Sequence, residues 1–144
     1  KKDNLISDLF SLNEFLPASC QGAVGIQLAN NNNNFELINS LKKINHQYTE
    51  ITCSAEREVL KTINANCNSP VSVFANFIQQ RIELNCEIFD HSGNKIYQNK
   101  MSDKKDRNIK LGYEMGCDIL KKVGQKKITQ LDNLENDFNY TPEI

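Results

Sequence analysis

At 144 residues, with 17 basic and 18 acidic side chains and a net charge of −1, the chain has room for one ordinary core, or for one small domain plus part of another. The charge balance gives no electrostatic basis for nucleic-acid binding, and no run reaches the roughly 18 apolar residues of a membrane span. Five cysteines, at 20, 53, 67, 86 and 117, are odd in number, widely spaced and without a C-x-x-C pair. That usage argues against a disulfide scaffold or a zinc site and for a reducing, cytoplasmic setting. The first residues, KKDNLISDLF, lack the apolar run and cleavage site of a signal peptide, and a start at Lys1 is expected of a fragment or a processed product.

Lys1 to Asn13 carries a weak helical period (Leu5, Ile6, Leu9, Phe10), which predicts the end of a helix begun upstream. Phe15-Leu16-Pro17-Ala18 breaks it, because proline disfavours helix at the residue before it. Gln21 to Leu28 reads as a strand with little bulk at Gly22, Ala23 and Gly25. Close approach of a backbone or ligand fits those residues, and so does a tight sheet crossing with no ligand. Asn30 to Asn34 reads as a polar surface loop. Phe35 to Ile44 predicts a short amphipathic helix with Leu37, Ile38, Leu41 and Ile44 on one side. His46 has no second histidine or carboxylate at ligand spacing, so it reads as a surface or capping residue.

A second helix is predicted from Ser54 to Ala65, with Ser54 as N-cap and Glu56 and Glu58 in a first turn where the helix dipole favours negative charge. Ala55, Val59, Leu60 and Ile63 would be its buried stripe. Asn66 can take the left-handed backbone that ends a helix, and Pro70 bars the helix from resuming. Cys67 then falls in the reversal between them. From there the period is two: Val71, Val73, Ala75 and Phe77 alternate with polar or outward residues, as do Ile82, Leu84, Cys86 and Ile88. Asp90-His91-Ser92-Gly93-Asn94 is a hairpin turn, and Lys95 to Lys100 a polar edge strand. A long helix from Lys104 to Val123, with Ile109, Tyr113, Gly116, Leu120 and Val123 inward and Gly124 as its cap, would cover the sheet. Ile128 to Phe138 adds a weak final helix. The fold class is therefore α+β: a small three-stranded antiparallel sheet covered by helices, with residues 34–144 as one domain and residues 1–33 as a piece of something larger.

The cysteines differ in setting. Cys86 points inward on its strand, Cys117 lies beside the buried stripe of the long helix, and Cys53 precedes a helix N-terminus, a place that lowers a thiol pKa. Cys67 follows a helix C-terminus, whose dipole does not favour a thiolate, and no Cys–His pair is visible, so a protease-type nucleophile fits poorly. A covalent attachment point needs only exposure, a fixed loop and room for an adduct. On the residues alone, that role and an inert loop cysteine both remain open.

Two motifs together carry a family resemblance. Phe15-Leu16-Pro17-Ala18-Ser19-Cys20-Gln21-Gly22-Ala23-Val24-Gly25-Ile26 is similar to L-P-A-x-x-Q-G-A-x-G-I-E. Ala55-Glu56-Arg57-Glu58, followed by Asn66-Cys67-Asn68-Ser69-Pro70-Val71, is similar to A-E-R … G-C-x-x-P-[VI]. His46, Thr49 and Asp90-His91-Ser92-Gly93 fall in further matching stretches. In these the chain resembles porphobilinogen deaminase, also called hydroxymethylbilane synthase. It departs from the pattern at Asn66 and Cys20, where the family has or often has glycine, and at Gln27, where it usually has glutamate.

The resemblance implies the C-terminal portion of a three-domain transferase of tetrapyrrole and heme biosynthesis. Residues 1–33 would end the preceding domains, including a hinge and a strand (Gln21 to Leu28) that returns to a missing α/β domain. Residues 34–144 would form the cofactor-attachment domain. Cys67 matches the cysteine that carries a dipyrromethane cofactor through a thioether, and Gln21 and Gly22 match the strand bordering the cofactor cleft. Four porphobilinogen molecules would be joined head to tail with loss of ammonia, and water would release the linear tetrapyrrole. The family's catalytic aspartate and substrate-gripping arginines lie in its N-terminal portion. The resemblance thus implies no catalytic residue in this chain, no activity for the segment alone, no metal, no nucleic-acid or membrane partner, and a cytoplasmic monomer at full length. The alternative is a non-enzymatic α+β ligand-binding or interaction module. A thiol redox protein using Cys53 or Cys67 would need a resolving partner.

Overall fold

The period-two alternation from Val71 onward does produce a sheet. In the computed structural model, which describes residues 5–29 and 34–132, β1 (Val71–Ile78), β2 (Arg81–Phe89) and β3 (Lys95–Lys104) form an antiparallel meander in the order β1-β2-β3. The register pairs Val73 with Cys86 and Leu84 with Met101, so that same-face apolar side chains meet across the strands. Ile82, Leu84, Cys86 and Ile88 are fully buried, which is the inward face expected of β2. The 90–94 hairpin turns at Gly93 (φ +79), while Asp90 accepts from the backbone N–H groups of Ser92 and Asn94. On the opposite face Glu83 pairs with Lys100, and Glu87 with Lys95 and Gln98.

The helices cover the apolar face. α1 is Phe35–Ile44, capped by the Asn34 side chain, which accepts from the Leu37 N–H at 3.0 Å. Its boundaries are the expected ones, but its stripe is not buried: Ile38 and Leu41 are half-covered and Ile44 is exposed. α2 is Gln47–Ile63, seven residues earlier at its start than predicted. His46 rather than Ser54 is the N-cap: its Nδ1 accepts from the Thr49 N–H at 3.4 Å and sits 2.7 Å from the Thr49 hydroxyl. The β-branched residues of its first turns argue weakly against helix, but Ile51 packs on the core and tertiary contact overrides that preference.

α3 is Asn108–Lys122, entered through a 3₁₀ turn at Lys105–Arg107, and α4 is Gln125–Asp132. The inward face of α3 is Leu111, Gly112, Met115, Gly116 and Ile119. Of the stripe predicted for it, only Gly116 is fully buried. Leu120 and Val123 pack at the margin, while Ile109 and Tyr113 are exposed. Cys117, expected at the core boundary, is exposed too. Two apolar series run along this helix, and close packing against α2 selects between them. A Cβ on Gly112 would lie 2.4 Å from the Ala55 carbonyl oxygen, and one on Gly116 2.5 Å from Thr62 Cβ. Gly124, at φ +86, follows α3 as expected. α4 adds Ile128 and Leu131 to the core, and the rest of the predicted final helix lies outside the described residues.

The N-terminal segment departs most from expectation. Residues 6–11 are not helical, and Leu5, Ile6, Leu9 and Phe10 are exposed, so the predicted stripe has nothing to pack on. Residues 23–29 carry no ladder, since a strand needs a neighbouring strand and none of the three borders it. Three anchors hold the segment: Leu16 is buried, Ala18 forms a single antiparallel bridge with Ser72 at the outer edge of β1, and the Cys20 N–H donates to Glu56 of α2. Residues 1–4 and 30–33, the latter being most of the asparagine loop, lie outside the described residues.

Candidate functional site

Cys67 lies where α2 hands the chain to β1. Asn64 ends the helix in the left-handed conformation (φ 53, ψ 40), and the Ala65 N–H donates back to the Leu60 carbonyl at 2.9 Å. This Schellman-type ending places the reversal at Asn64, two residues before the Asn66 expected from sequence. Asn66 instead closes the next turn. Its carbonyl accepts from the Ser69 N–H at 3.2 Å and its Oδ1 from the Asn68 N–H at 2.8 Å, with Cys67 at the second position of the turn. The Ser69 hydroxyl accepts from the Asn66 N–H at 2.8 Å and donates to the Asp132 carboxylate at the end of α4. The Pro70 carbonyl then accepts from the Phe89 N–H at 3.1 Å. Cys67 is thus exposed on a backbone held at both ends.

Gln21 and Gly22 belong to two consecutive turns rather than a strand. The Gln21 N–H donates to the Ala18 carbonyl at 3.2 Å, and the Ala23 N–H to that of Cys20 at 3.0 Å. The third residue of each turn has positive φ: Cys20 at 56° and Gly22 at 83°. The glycine at 22 therefore serves a turn, and neither it nor Gly25 has another atom pressed on the space of a Cβ. The Gln21 side chain accepts from the Ala18 N–H at 3.1 Å. Together with Cys20, Cys53 and Glu56, these residues line an open cavity of about 260 Å³ between the 17–23 segment, α2 and β1.

Glu56 organises that cavity, and the sequence reading misplaced it. It is 4% exposed in the middle of α2, not in a first turn. One carboxylate oxygen accepts from the Ala75 N–H at 2.8 Å on the outer edge of β1. The other accepts from the Cys20 N–H at 2.6 Å and lies 3.4 Å from the Ser19 hydroxyl. Burial pushes its pKa above the ordinary carboxylate value, against the pull of those donors. A sequence signal existed: Glu56, Val59, Leu60 and Ile63 follow the i, i+3, i+4, i+7 spacing of an inward face.

Two other thiols, Cys20 and Cys86, are set by burial. Cys53 lies inside α2, so the helix N-terminus invoked for it is not there. Burial, with Cys53 and Glu56 nearby, pushes the Cys20 thiol up to about 11. Burial pushes core Cys86 up to about 12. Cys67 is not among the residues that line the cavity with Gln21 and Gly22. Seven residues of α2 separate Glu56 from the helix end, a rise of roughly 10 Å.

Residues 50–121 match the family model for porphobilinogen deaminase, C-terminal domain. That range contains Glu56 and Cys67 but neither Gln21 nor Gly22. The porphobilinogen deaminase of Clostridium botulinum is 33% identical over 119 residues, which cover 83% of this chain and 39% of the relative. That of Clostridium novyi is 29% identical over 124 residues, covering 85% and 41%. That of Clostridium acetobutylicum is 29% identical over 82 residues, covering 57% and 27%. The chain spans about two-fifths or less of the length of these curated relatives.

Proposed function

We propose, from the premise that the chain belongs to the porphobilinogen deaminase family through its C-terminal domain, that it is the cofactor-bearing part of such an enzyme and that Cys67 holds a dipyrromethane through a thioether. The observation that supports this most is the setting of Cys67: an exposed thiol on a turn fixed by Asn66, Ser69 and Asp132. These residues fit a permanent adduct. A thioether is formed once and then holds position, so the thiol needs room and a rigid mount more than a depressed pKa. The end of α2 offers no help to a thiolate, because the C-terminal end of a helix carries partial negative charge.

When bound, the dipyrromethane supplies the pyrrole carbon onto which porphobilinogen is joined with loss of ammonia. The part of this chain is to mount and border that group. Cys67 gives the sulfur, the Ser69 hydroxyl steadies the turn beneath it, and Glu56 holds the 18–22 segment so that Gln21 and Gly22 border the cofactor cleft. Residues 1–33 would end the preceding domains and 34–144 form the attachment domain. Catalysis and substrate grip would come from family residues outside this stretch, leaving this chain inactive alone. Of the described residues, no helix is long and apolar enough to cross a membrane.

Intact mass of the full-length protein, with peptide mapping, tests the reading. A dipyrromethane-sized increment on the peptide bearing Cys67 is expected, and Cys67→Ser should lose both the increment and the activity. Active protein with Cys67 unmodified would overturn the assignment.

A further inference from the structure

The cavity beside α2 brings together two thiols that the chain separates by 33 residues. The Cys20 Sγ lies 3.7 Å from the Cys53 carbonyl oxygen, and both residues line the same cavity. Both cysteines are free, half-buried and open to that cavity, so a small oxidant can reach them. Their backbones are held in place on either side of the cavity. Cys53 is in the body of α2, while Cys20 is fixed by its N–H bond to Glu56 and by its own turn. Cys86 is sealed in the core, and Cys67 and Cys117 are exposed elsewhere.

We propose that Cys20 and Cys53 form a redox modification site: a reversible disulfide that locks the 18–22 segment onto α2. The single contact pattern that now holds this segment is non-covalent, through Glu56, Leu16 and the Ala18–Ser72 bridge. Joining the two sulfurs adds a covalent tie between those two sides of the cavity. Reversible disulfides of this kind in otherwise reduced proteins are commonly switches rather than staples. The oxidant is a small-molecule disulfide. One protein thiolate attacks it, releasing one small thiol and leaving a mixed disulfide. The second protein thiol then displaces the other small thiol as the Cys20–Cys53 bond forms. Two protein thiols are oxidised, one external S–S bond is reduced, and the two protons leave on the two small thiols.

The site is chemically separate from the tether role of Cys67, and its test is read separately. Full-length protein is incubated with oxidised glutathione, alkylated and digested without reductant. A linked peptide pair containing Cys20 and Cys53 is expected. Dithiothreitol should abolish it, and so should either Cys53→Ser or Cys20→Ser. Amide exchange at residues 20–23 should slow by about tenfold in the oxidised protein and recover on reduction, a local change in opening that a surface adduct would not produce. Recovery of Cys20 and Cys53 as separately alkylated thiols, or as two glutathione adducts with no linked pair, overturns the proposal. Should Cys53→Ser prove unstable, Cys53→Ala serves as the second control. The mass of the Cys67 peptide, followed in the same digest, reports on the tether independently.

Discussion

Replacing Glu56 by alanine tests whether one buried carboxylate joins three elements. Its oxygens accept the Cys20 and Ala75 N–H groups at 2.6 and 2.8 Å. A hydrogen bond to a charged group contributes about 1.5–3 kcal/mol, so the pair has a gross value of about 3–6 kcal/mol. Two effects reduce it. The carboxylate is destabilised by burial, so its removal relieves a desolvation cost, and half-buried Cys20 can turn its freed N–H to water. A net loss of about 2–3 kcal/mol is expected, seen as a lower denaturant midpoint at unchanged slope. Amide exchange at Cys20 and Ala75 should quicken by about 30-fold or more, since each 1.4 kcal/mol is a factor of ten. Titration adds a second signature. The folded pKa of Glu56 lies above its ordinary 4.5, so the folded state binds this proton more tightly than the unfolded chain does. That contribution is fully present below about 4.5 and is lost as pH rises through the raised folded value, a slope that Glu56→Gln should lack. A Glu56→Ala protein within about 0.5 kcal/mol of the parent, with both amides exchanging as before, would refute the reasoning.

Gly112→Ala puts a methyl 2.4 Å from the Ala55 carbonyl oxygen, forcing α2 and α3 apart. Overpacking of about 1–3 kcal/mol should outweigh the gain of about 1 kcal/mol in helix propensity, so the melting temperature should fall; an unchanged or higher one contradicts the close crossing. Ser69→Ala removes the acceptor of the Asn66 N–H and the link to Asp132, with an expected loss of about 1 kcal/mol. Faster exchange at Asn66 and Cys67 would accompany it, and equal rates in the two proteins would exclude Ser69 as the clamp of the turn.

Much of the fold was legible because local pattern and tertiary demand agree. The alternation of Val71–Phe77 and Ile82–Ile88 and the glycine of the 90–94 turn specify a meander whose register follows from keeping one face apolar. The start of α2 was not legible, because its cap is a histidine and its first turns are β-branched. The face of α3 was not legible either: Leu111-Met115-Ile119 and Ile109-Tyr113-Leu120 are both apolar series, and only the approach of Ala55 and Thr62 to the glycines chooses the first.

The sequence by itself determined the α+β class, the exposed cysteine after a helix end and the motifs that mark the family, because each is written in neighbouring residues. Tertiary structure alone decided the rest. It gave the inward-facing Glu56 its partners, since the Cys20 and Ala75 N–H groups come from segments 36 and 19 residues away in opposite directions. It moved the chain reversal from Asn66 to Asn64 and gave the Cys67 turn its anchor in Asp132, 63 residues beyond Ser69. Contacts at such separations leave no period in the sequence, because each is fixed by where the whole chain folds and not by its neighbours.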